Sequence, residues 1–95
     1  MAYKFRIEED LDANTVENMR AELDRLAAIA DDLEIDVARV RFMDSSGVGA
    51  VVFLFKRARA RGYRIELTGL QGQPLKLMQH LGIATLVTSI TAKAA

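Results

Sequence analysis

Asp44, Ser45, Ser46 and Gly47 are the residues of this chain whose types and spacing best suit chemistry. Two adjacent hydroxyls and a carboxylate stand at the mouth of the most hydrophobic segment, in the run FMDSSGVGAVVFLF at 42–55. A strand-to-helix junction accounts for part of this. The first N–H groups of a helix lack intrahelical partners, and Asp and Ser oxygens accept them. Gly47 permits a tight turn or the close approach of another group. One capping side chain meets that need, yet three polar side chains stand in a row. A helix N-terminus also suits an anion. A serine displayed there is a place for a phosphate, which adds about −1.5 to −2 charges near neutral pH.

The remaining inventory argues against catalysis. His80 is the only histidine. It falls near the C-terminal end of the last expected helix, where a cation offsets the helix dipole. Asp44 and Ser46 have no neighbouring base in sequence from which to build a triad. No G-x-x-x-x-G-K-S phosphate cradle is present, and GLQGQP reads as a loop before a proline-started helix. The scattered acids lack metal-ligand spacing. There are no cysteines, so thiolate metal sites, disulfides and thiol catalysis are excluded. The expectation is a chain that is not an enzyme and carries neither cofactor nor metal.

The elements that must hold the knot follow from periodicity. Tyr3, Phe5 and Ile7 alternate with polar residues and predict a strand with one buried face. Asn14 followed by Glu17 resembles a capping box. Val16, Met19, Leu23, Leu26 and Ala30 then predict an amphipathic helix over 15–30. LEIDV at 33–37 predicts a second strand. A long apolar helix follows Gly47 and ends at Gly62, a residue that tolerates positive φ. Phe53 and Phe55 lie two apart on it, so they face different sides; one must be core, and the other is either core or a partner contact. Tyr63, Ile65 and Leu67 predict a third strand, Pro74 the first turn of a last helix, and TLVTSI a closing edge strand. Met19, Met43 and Met78 read as core filler. Alternation of this kind predicts an α/β fold, with a sheet of about four strands flanked by helices. No linker or repeat divides residues 1–95, so a single domain is expected.

The chain has 95 residues, 51% of them hydrophobic, and a net charge of zero. That balance hides an asymmetry. Residues 1–36 hold eleven acids against four bases, and residues 37–95 hold two acids against nine bases. The halves either mix on folding or form a dipolar surface that steers a charged protein partner. The basic run KRARAR lacks interleaved aromatics and sits at a helix end, so nucleic-acid binding is not expected. No apolar run reaches the ~20 residues of a membrane span, and the N-terminus has no apolar signal core. A cytoplasmic monomer is expected.

FMDSSGVG resembles the signature of the STAS family, the domain shared by sulfate transporters and anti-sigma factor antagonists. LEIDVARVRFMDSSG upstream and GYRIELTGLQGQPLKLMQHLGIATLV downstream resemble that family's order of elements. DLDANTVENMRAEL is a weaker match. The glycine usual before the early E-L-D is missing, and one N-terminal strand stands where many members have two. The resemblance implies an anti-anti-sigma factor. Such a protein binds an anti-sigma factor that is also a serine kinase, is released when the second serine of D-S-S-G is phosphorylated, and is reset by a serine phosphatase. Carried over, Ser46 is the phosphoacceptor, while Asp44, Ser45 and Gly47 support the loop and the docking surface. The alternative implied by the same family is an accessory subunit of an ABC-type lipid transporter, which binds the ATPase subunit without a phosphorylation cycle.

Overall fold

The computed structural model describes residues 2–83. Three four-residue strands, β1 (Tyr3–Arg6), β2 (Leu33–Asp36) and β3 (Ile65–Thr68), form a parallel sheet in the order β1-β2-β3. Tyr3 pairs with Leu33 and Leu33 with Ile65, so the strands are in step. Side chains alternate across a strand, and one face therefore carries Phe5, Leu33, Ile35, Ile65 and Leu67. These pack into one core with Leu23, Leu26, Ala50, Val51 and Leu54 from the helices. Lys4, Arg6, Glu34, Asp36, Glu66 and Thr68 take the other face, where Arg6 Nε reaches Asp36 at 3.2 Å. The segment TLVTSI, expected as a fourth strand, lies outside the described residues.

The first helical region departs from the expected span. It begins at Ala13 rather than residue 15, as α1 (Ala13–Asn18), and continues as α2 (Arg20–Ala27). Asp12, not Asn14, is the N-cap. Its side chain accepts the Thr15 N–H at 2.9 Å, and Thr15 Oγ1 accepts the Asp12 N–H at 3.0 Å. The reason is tertiary. Leu11 is buried to 1% exposure and bridged to Met43, so the chain must turn into the helix directly after it. At Met19 the backbone is distorted (φ −96°, ψ 7°), but its N–H still bonds Thr15 and Val16, and its carbonyl still accepts from Leu23.

α3 (Ser45–Ala60) is the expected long helix, but it begins at Ser45 rather than after Gly47, because Asp44 is its N-cap and accepts the N–H groups of Ser46 and Gly47. Gly62 follows with φ 83°. Its N–H bonds the Arg59 carbonyl, and the Tyr63 N–H bonds that of Ala58, which closes the helix as a Schellman motif. α4 (Gly72–His80) holds Pro74 in its first turn, as expected. Met43 and Met78 are fully buried core residues, and Met19 is partly buried against the core. Phe53 and Phe55 are both half-buried against the core, and neither is fully enclosed.

Candidate functional site

The D-S-S-G knot is fixed by contacts from segments far away in sequence. Leu11 lies in parallel beside it, donating its N–H to Phe42 O at 3.0 Å and accepting the Asp44 N–H at 3.1 Å. Asp10 Oδ1 accepts the N–H groups of Arg41 (2.8 Å) and Phe42 (3.1 Å). From the other side, the Gln73 carboxamide takes both backbone groups of Met43. Its oxygen accepts the Met43 N–H at 2.8 Å and its nitrogen donates to the Met43 carbonyl at 2.9 Å. The strand-like approach to the knot is therefore clamped by the loop before α1 and by the first turn of α4.

Asp44 uses both carboxylate oxygens on backbone donors. Oδ1 accepts the N–H of Ser46 at 2.8 Å and of Gly47 at 3.1 Å, capping α3. Oδ2 accepts the N–H of Ala13 at 3.2 Å, the first residue of α1. One carboxylate thus joins two helix N-termini, whose positive dipole ends favour its charge. The Asp12 carboxyl nearby is held below the ordinary value of 3.8, chiefly by the hydrogen bond from the Thr15 backbone.

Ser45 is the first residue of α3 and is exposed; Ser46, the second, is half-buried. Ser46 meets Asp44 through its backbone N–H, so the carboxylate is not placed as a base for the hydroxyl. Ser46 lines the upper end of a groove of about 360 Å³ between α3 and the α1–α2 pair. Gly49 and Phe53 continue the α3 wall, and Val16, Arg20 and Asp24 belong to the facing wall.

Gly47 is buried, and close approach explains it. A Cβ at this position would stand 2.4 Å from Leu11 O, 2.7 Å from Leu11 Cβ and 2.8 Å from Met43 Cγ. The glycine lets the first turn of α3 lie against the Leu11 bridge. Sequence reasoning named the four residues of the knot but missed Asp10, Leu11, Ala13 and Gln73. Each acts across roughly thirty positions through a backbone group, and a glutamine in the first turn of a helix carries no local signal of that kind. His80 is exposed in the last turn of α4. Among the described residues no cluster of three or more His, Asp or Glu is arranged to hold a metal, and no helix is long and apolar enough to cross a membrane.

Among the described residues, a three-stranded parallel sheet, a long helix starting at the D-S-S-G cap and an open groove beside the second serine define a small α/β domain. The family model described as "Mlab, STAS domain" matches residues 2–88, and the chain belongs to the STAS family. Its curated relatives are of the anti-sigma factor antagonist type. It is 30% identical over 84 residues to the anti-sigma-B factor antagonist of Bacillus subtilis (strain 168), an alignment that covers 88% of this chain and 76% of the relative. It is 34% identical over 55 residues to the anti-sigma-B factor antagonist of Listeria monocytogenes, covering 58% of this chain and 48% of that protein. The fold is similar to that of a sulfate transporter family protein from Wolinella succinogenes, with a TM-score of 0.73 at 15% identity over 88% of this chain and 69% of that one.

Proposed function

We propose that this chain, as a single domain over 1–95, is a phosphorylation-controlled anti-anti-sigma switch. In the unphosphorylated state it binds an anti-sigma factor that is also a serine kinase. Phosphorylation of Ser46 ends the binding, and a serine phosphatase restores it. The chain is then ligand and substrate, a cytoplasmic monomer that catalyses nothing itself. The observation that carries this reading is the position of Ser46. Ser46 lines the groove and is half-buried while its backbone N–H is held by Asp44, so the residue is presented on a rigid support. The names of the curated relatives support the same reading.

The electrostatics give the switch its direction. The N–H groups of Ser46 and Gly47 at the start of α3 are already taken by the Asp44 carboxylate. A phosphate on Ser46 therefore adds its charge beside a carboxylate, at the mouth of the groove, rather than filling a vacant anion site. Like charges in a desolvated interface are costly, whereas the isolated helix tolerates the added charge at its N-terminus. Ser45 and Asp44 border the same surface, and Gly47 supports it from below.

The test is a binding titration of wild type, Ser46→Ala and Ser46→Asp against the partner co-purified from the native cell, with thermal melts of all three and mass spectrometry of the native chain. Ser46→Ala should bind as wild type does and change stability by no more than about 0.5 kcal/mol, since Asp44 supplies the cap. Ser46→Asp should stay folded and bind more weakly. Equal affinities of the three folded proteins would remove Ser46 as a switch. The reading as an accessory subunit of an ABC-type lipid transporter, bound to its ATPase subunit, would then move ahead.

A further inference from the structure

Below Ser46 the groove changes character. Its floor at mid-length is Gly49, exposed, with nothing within 4 Å of where a Cβ would stand. Its lower end is Phe53, and the Arg57 guanidinium lies over that ring, 5.5 Å from its centroid. Among the described residues no carboxylate pairs with Arg57, and the Asp24 side chain on the facing wall is likewise without a cation. Two unpaired charges of opposite sign thus stand at one end of the cleft, while Arg20, which also lines it, is paired with Glu17.

Offsetting the helix dipole does not account for Arg57. Side chains on a helix lean toward its N-terminus, and the stack on Phe53 turns this guanidinium one turn back, toward the groove and away from the last carbonyls. Arg59 is turned back in the same way onto Phe55, 5.7 Å from that ring's centroid, but Phe55 does not line the groove; Arg61 stays at the helix end as its C-cap. The Phe53 ring holds the Arg57 guanidinium in place, which lowers the ordering cost of meeting a carboxylate.

We infer that this groove receives an α-helix of a partner protein, with a carboxylate set against Arg57 and a cation set toward Asp24. The inference rests on the reading of this chain as a protein-binding switch and specifies the partner's chemistry. Helix walls favour a helical occupant. Their backbone groups are bonded internally, so an extended segment would find no main-chain partners and would leave its own unsatisfied. A helix brings none of that demand, and Gly49 lets it lie close to the floor. The charge pair then fixes its direction along the groove.

A displayed library of single-helix miniproteins with one randomised face tests this, using the full chain as bait and amide chemical shifts to locate the binders. Binders are expected to shift Val16, Gly49 and Phe53, to carry an acidic residue, and to lose about tenfold or more in affinity for Arg57→Glu. Exchanging that acidic residue for Lys should restore binding to Arg57→Glu. Gly49→Leu, whose Cβ has nothing within 4 Å and whose longer side chain extends into the groove, should abolish binding while the fold persists. Failure to enrich any binder, binders located elsewhere, or affinities indifferent to Arg57 would overturn the inference. So would concentration-dependent self-association that Arg57→Glu abolishes, because the occupant would then be a second copy. The Ser46 titration reads the switch separately: loss of the Arg57 effect with the Ser46 effect intact removes only this inference, and the reverse removes only the switch.

Discussion

Gly47 and Gly49 stand two residues apart at the start of α3, one on the side that faces the core and one on the side that faces the groove. In sequence they are the same residue in the motif G-V-G. In the fold they are opposites. Gly47 has no room for a methyl group, and Gly49 has nothing near it. The same division runs through the caps. Asp12 answers to Thr15, three residues away. Asp44 answers both to its own helix and to Ala13, thirty-one residues away. The core side of this junction is determined by distant parts of the chain. The groove side is left free of them, which is what a surface used by a partner requires.

Substitution can break that contrast. The largest effect belongs to Gly47→Ala. Its Cβ would press on the Leu11 backbone, which is itself tied to the knot, so relief requires a backbone shift. A loss of about 1–3 kcal/mol is expected, read as a lower urea midpoint. A wild-type midpoint would show that α3 can move off Leu11 at little cost.

Asp44→Ala comes next. It removes the cap of α3 and the bond to Ala13 together, and about 2 kcal/mol should be lost. A double-mutant cycle with Asp12→Ala should be non-additive, because Ala13 lies in the first turn that both carboxylates serve. Strict additivity would mean the two helix starts are independent.

Gly49→Ala should go the other way. An exposed helical glycine is worse than alanine by about 0.5–1 kcal/mol, and this methyl meets nothing. The melting temperature should rise. A fall would show that the groove side is as constrained as the core side, and the contrast between the two glycines would collapse.

The smallest effect is a pH dependence. The Asp12 carboxyl is held below its ordinary value in the folded state. A depressed folded value contributes stability above the unfolded value and loses it as the pH falls through the folded one. The stability gap between wild type and Asp12→Ala should therefore be constant above about pH 5 and shrink in more acidic solution. A gap that keeps its size at low pH would show that the carboxylate's charge is not what caps α1.

What the sequence determined by itself was set by local rules. Alternation in Tyr3–Ile7 and Leu33–Val37 marked strands, because a sheet with one buried face demands a period of two. A cap within Asp44–Ser46, the glycine ending of α3 at Gly62 and the proline in the first turn of α4 were legible because each answers to backbone groups within a few residues; that Asp44 is the one that caps came from the structure. Local rules also misled. Asn14–Glu17 fits a capping box as well as Asp12–Thr15 does, and only the burial of Leu11 against Met43 decided between them. The basic run after Phe55 showed no interleaved aromatics along the chain. On the helix Arg57 lies over Phe53 and Arg59 over Phe55, because four residues make about one turn. Tertiary structure alone decided that Gln73 would take both backbone groups of Met43, that Asp44 would reach Ala13, and that Ser46 would open on a groove. Those contacts join segments about thirty residues apart, and no property of either segment names its partner until the sheet brings the two together.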